Sequence, residues 1–175
     1  MAPDPIFRQK AKPVVAFDNQ LKSTIAEMLD LMYEHRGIGM GANMVGLLER
    51  IIVVDLQEDG KRSPLVYVNP SITAKTDSKI EREESSLCFP GIRASISRPE
   101  SIEVAFQDVE GNHHTMTAEG WLATVIQHEM DYLEGKTFLD HISKLKRDRL
   151  MKKMVKGSVQ KHNACCADPE CSNNH

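Results

Sequence analysis

The most constraining stretch of this chain is a helix that has to be covered on more than one side. Trp121, Val125, His128 and Tyr132 fall on one stripe of a roughly 3.6-residue repeat, and Leu122, Ile126, Glu129 and Leu133 fall on the next. The helix begins near Glu119, and His128 faces inward among apolar neighbours. Before it the pattern is one of short β segments, at 50–55, 65–69, 72–74, 80–84, 86–89, 101–107 and 113–117. Residues 101–106 alternate as a half-buried strand should, and Asp108-Val109-Glu110-Gly111-Asn112 is a turn. An earlier helix is N-capped by Asp18 and runs to about Glu34, with Leu21, Ile25, Met28 and Met32 on one stripe. Gly37 is expected to stop it. A helix wedged against several short antiparallel sheets is an α+β fold.

The covered helix also carries chemistry. Gln127-His128-Glu129-Met130-Asp131-Tyr132 is a His-Glu-x-x-His pattern with its second histidine replaced. Positions 128 and 132 are one turn apart and leave the same face. In an intact motif that face offers two imidazoles to a metal, and the intervening Glu is the proton-transferring base. A phenol, titrating near pH ~10, is a poor substitute for a neutral imidazole.

Three segments in register resemble the peptide deformylase family. They are the motif helix with its flanks, Gly120–Ile126 and Gly135–Asp140; the loop Gly37-Ile38-Gly39-Met40-Gly41-Ala42-Asn43-Met44-Val45-Gly46; and Glu84-Ser85-Ser86-Leu87-Cys88-Phe89-Pro90-Gly91. The resemblance covers roughly residues 1 to 155. It implies a deformylase-like fold with short antiparallel sheets around the motif helix and a C-terminal helix. It also implies an Fe(II) or Zn ion held by a Cys and two His, positions that are Ser86, His128 and Tyr132 here. A serine hydroxyl stays neutral and binds metal weakly, whereas a coordinated thiol is deprotonated. The family's oxyanion-donating Gln is Met44, which has no donor. Such a donor is worth about 2.7–4 kcal/mol in the transition state. The Leu87 backbone N–H and Glu129, the inherited general base, remain.

Cys88 and the Met44 thioether could rebuild a soft-metal site only if the 86–89 strand slid by a pair of residues, about 7 Å. The expectation is instead that Cys88 is a small buried apolar residue. His128 is expected to be hydrogen-bonded in the core. The Tyr132 ring should fill the space of a metal and an imidazole, its hydroxyl bonding Ser86, Glu129 or water. Ile38, Gly39, Leu87 and Val125 match positions that cradle an N-terminal methionine and its backbone in the family, so a peptide-end groove can outlast the metal.

The composition fits one substantial core, with 175 residues, 41% of them hydrophobic. A net charge of −3 gives no case for global nucleic-acid or membrane affinity. No secretory leader or apolar span is evident, and a cytoplasmic location is expected, with no membrane and no DNA partner. One domain is expected over 1–157 and a polar, structureless tail over 158–175. That tail holds His162, Cys165, Cys166, Cys171 and His175 at spacings unlike a zinc knuckle. Residues 143–156 carry seven basic side chains against one acidic. They should form a helix docked through Leu145, Leu150, Met151 and Met154. The segment resembles the deformylase C-terminal helix that contacts the ribosome, with Lys146, Arg149 and Lys153 on one face.

The function expected is therefore that of a deformylase-like protein, impaired or inactive in removing the formyl group from N-terminal formyl-methionine. It would have no resident metal and would retain binding to nascent-chain ends or the ribosome. The alternative is an active metal-dependent amide hydrolase with an unconventional Fe(II) or Zn site built on His128 and Glu129.

Overall fold

The structure, a computed structural model, describes residues 4–154. The expected tail at 158–175, its Cys and His residues, and the end of the 1–157 domain lie outside the described residues.

Helix α1, Asn19–Glu34, starts where Asp18 accepts the Leu21 N–H at 3.1 Å, and its stripe of Leu21, Ile25, Met28 and Met32 is buried. Its stop differs from the sequence expectation. The left-handed residue after the helix is Arg36, at φ 55°, and the Gly37 N–H closes the turn onto Met32 O at 2.8 Å. The chain then enters β1, Gly39–Gly41, a short strand where the sequence suggested only a loop. Strand β1 is the edge of a five-stranded antiparallel sheet ordered β1-β2-β3-β6-β7, with β2 at Ile51–Val54, β3 at Leu65–Lys75, β6 at Ser101–Gln107 and β7 at His113–Glu119.

The two β segments expected at 65–69 and 72–74 are one strand, β3, with register shifts against β6 between them. Asn69 sits at the irregularity with φ 52°, and its amide holds both the N–H and the C=O of Val14, at 2.8 and 2.9 Å. The side chain thus takes over pairing that the bulged backbone gives up.

A separate antiparallel hairpin joins β4, Lys79–Ser85, to β5, Arg93–Pro99. Strand β5 was not foreseen, because its inward row is Ala94, Ile96 and Arg98, so the apolar alternation ends on a charge. Residues 86–89 are not a strand. They form a turn in which Phe89 N–H bonds Ser86 O at 3.0 Å.

Helix α2, Gly120–Leu133, lies between these layers. Val125, Ile126, Met130 and Leu133 pack on the large sheet with Ile52, Val54 and Tyr67. Tyr132 joins Phe7, Phe89, Ile96 and Phe138 on the hairpin side. Residues 144–154 form α3, and Leu150, Met151 and Met154 pack against that second layer. Leu145, expected to help dock α3, is 64% exposed, because its position on the helix turns away from the core. The fold is α+β, as the pattern implied. Among the described residues no helix is long and apolar enough to cross a membrane.

Candidate active site

The floor of the site is α2. Gln127 ties it to the end of β5 through Pro99 O at 3.0 Å, and Asn43 donates to Tyr132 O at 2.9 Å. The loop after β1 and the hairpin are thereby fixed to the same helix. His128 and Glu129 project from α2 into a cleft of about 670 Å³ between β1 and the 86–92 turn. Ile38, Gly39, Met44, Ser86, Leu87 and Val125 line the same cleft. Tyr132 does not open onto it and has no exposed surface.

His128 is held by a charge network rather than standing alone. Its Nδ1 is 2.8 Å from Glu84 Oε2, and Arg98 grips Glu84 from the other side at 2.6 and 2.9 Å. Arg98 continues to Asp131 at 2.9 Å, which also meets the His141 ring at 2.6 Å. Burial would raise the Glu84 carboxyl, but the bonds from His128 and Arg98 overcome it and hold the group at about 2. Burial would likewise discharge His128, yet the Glu84 bond and the neighbouring carboxylates leave its pKa raised.

The other two family ligand positions are occupied with each other. The Tyr132 hydroxyl donates to Ser86 Oγ at 2.7 Å, and Ser86 Oγ also accepts the Cys88 N–H at 3.3 Å. The phenol ring is packed edge-on against Phe7 and His128, with centroids 5.6 and 5.4 Å away. Burial, then the neighbouring Cys88, pushes the phenol far above its ordinary pKa. The 86–89 turn also overturns the strand-spacing argument. It sets Cys88 beside Ser86 and Tyr132 instead of a pleat apart, in the apolar layer, where burial pushes its thiol up to about 11.

Glu129 is buried against β1. A Cβ on Gly39 would stand 2.9 Å from its Oε1 and 2.8 Å from Val125 Cγ1, so only glycine admits this approach. Its Oε2 has no hydrogen-bond partner among the described residues. Burial, opposed by the charge on His128, raises its pKa.

A family model for polypeptide deformylase matches residues 1–148. The chain belongs to the polypeptide deformylase family. A "peptide deformylase-like" protein of Rickettsia conorii is 51% identical over 155 residues, 89% of this chain and 85% of the relative. The peptide deformylase of Brucella suis is 42% identical over 160 residues, 91% of each chain. The solved peptide deformylase structure from Legionella pneumophila superposes with a TM-score of 0.85 at 36% identity, covering 96% of each chain.

Deformylases normally hold a metal ion, and the residues here do not fit one in the family's manner. A neutral hydroxyl and a buried, bonded phenol replace a thiolate and an imidazole, leaving His128 as the one family-type ligand. Among the described residues no three His, Cys, Asp or Glu side chains converge as a metal site. Met44 is half-buried between two apolar layers and reaches the cleft without a donor. Lys146, Arg149 and Lys153 are exposed on α3, apart from the cleft.

Sequence reasoning missed Glu84 as the partner of His128, Arg98 and Asp131 as the rest of its charge network, and Arg36, Arg93 and Trp121 as lining of the cleft. A buried charge on an alternating strand was the available signal for Arg98. Nothing in the local pattern marks Arg36.

Proposed function

We propose that this deformylase-family chain binds peptide N-termini in its cleft and removes formyl groups poorly or not at all. The observation that carries the reading is the 2.7 Å bond from Tyr132 to Ser86, since two metal-ligand positions satisfy one another instead of an ion. Apolar walls and the free edge of β1 supply what a peptide end needs, namely side-chain contact and strand-type hydrogen bonds. Glu129 keeps its place, but a general base acts on a water that something else has acidified, and these residues do not assemble that partner. The exposed basic face of α3 supports a second contact, with ribosomal RNA phosphates near the emerging chain.

The competing reading is an active deformylase. It is favoured by relatives that bear the name peptide deformylase and by the retained Glu129 and Leu87. Turnover of formyl-Met peptides by anaerobically purified protein, with Cys165, Cys166 and Cys171 changed to Ser, separates the two. Negligible turnover with bound peptide supports the proposal. Robust turnover abolished by Glu129→Ala establishes the enzyme.

A further inference from the structure

The cleft has a charged mouth that its inherited chemistry does not account for. Arg36 lines it, is exposed, and its guanidinium has no hydrogen bond or ion pair within the described residues. It stands in a left-handed conformation, φ 55°, at the position after a helix that glycine usually takes. The other arginine at the mouth, Arg93, is neutralised by Glu83 at 3.1 Å. Deeper in, Glu84 is already matched by Arg98 and His128. The rim therefore carries one uncompensated positive charge on a chain whose net charge is −3.

Direction along the cleft follows from the backbone. Its deep end is Glu129 beside Gly39, and its walls continue through Ile38 and Gly37 to Arg36. A peptide lying along the free edge of β1 with its N-terminus at Glu129 would run outward past Arg36. We propose that Arg36 makes the cleft selective for peptide N-termini bearing an acidic side chain about two to three residues from the chain end, given an advance of ~3.3 Å per extended residue. The inference rests on the peptide-binding reading above and adds a substrate class to it.

The test uses the full chain and dye-labelled peptides that begin with Met or formyl-Met, followed by Ala and then two Glu, two Gln or two Lys. Fluorescence anisotropy at low salt should rank them Glu, Gln, Lys. The Glu and Lys peptides should differ in Kd by about threefold to tenfold, the scale of an exposed ion pair replaced by repulsion. The ratio should shrink as salt rises. Arg36→Glu should invert the order. Arg36→Gly, which suits φ 55° and should raise the melting temperature, should bring the ratio close to one. Binding without charge discrimination, or a ranking unmoved by either substitution, overturns this inference and leaves the peptide-binding reading standing. No binding by any peptide overturns both.

Discussion

At the scale of single residues, the site is governed by which groups satisfy each other. Tyr132→Phe removes one neutral hydrogen bond and should cost about 1 kcal/mol in urea denaturation. Tyr132→His, although it restores a family ligand, empties part of a close-packed layer and should cost about 2–4 kcal/mol. Glu84→Gln leaves Arg98 buried with one acidic partner fewer and should cost about 3–5 kcal/mol. The pH dependence follows from the same network. Glu84 is held at about 2, below an unfolded value of ~4.3, so its contribution is complete above that value and is lost as pH falls through about 2. His128 is raised, so its contribution is complete below its unfolded value and is lost as pH rises through the folded one. Unfolding free energy should therefore drop steeply below pH ~4, and Glu84→Gln should flatten that limb. An unchanged acid limb in the variant would remove Glu84 from the explanation.

At the scale of elements, the charges of α3 are separable from its packing. Reversing Lys146, Arg149 and Lys153 to Glu changes only exposed side chains and should leave stability within about 1 kcal/mol. Co-sedimentation with ribosomes, if α3 mediates it, should be strong at low salt, fall steeply with salt, and vanish in the triple variant. Retention of binding by that variant would assign the contact elsewhere. Arg147 is a different case, since it bonds Asp140 at 2.7 Å and holds α3 to the body. Much of this architecture was legible in advance. The stripes of α1 and α2, the Asp18 cap and the alternation of β6 follow directly from periodicity. What escaped was set by contacts distant in sequence. Strand β5 hides a buried Arg98 that only Glu84 on the neighbouring strand makes tolerable, and the 86–89 turn is imposed by closing that hairpin. Within the site, the Tyr132–Ser86 bond was foreseen as one of three options, while the partner of His128 was not foreseen at all.

At the scale of the whole molecule, the cleft lies between a sheet edge and a hairpin, two layers that both rest on α2. Metal affinity, if restored there, should be readable as stability of the entire fold. With the three tail cysteines changed to Ser, added zinc should leave the melting temperature of the chain nearly unmoved. Ser86→Cys with Tyr132→His should start lower and rise with zinc concentration, and neither change alone should respond strongly. A large zinc shift in the parent, abolished by His128→Ala, would show that the existing side chains suffice for an ion. The five-membered chain from His128 through Glu84, Arg98 and Asp131 to His141 sets limits on how such a molecule can drift. Losing any one of its inner members leaves the others with an unbalanced buried charge. Ser86 and Tyr132 share only a neutral bond, so exchanging them costs packing around a buried ring but leaves no unbalanced charge. Substitution at the hairpin turn and the end of α2 therefore disturbs packing alone, whereas substitution of the histidine between them also breaks a charge balance, and the fold itself acts as the guardian of that residue.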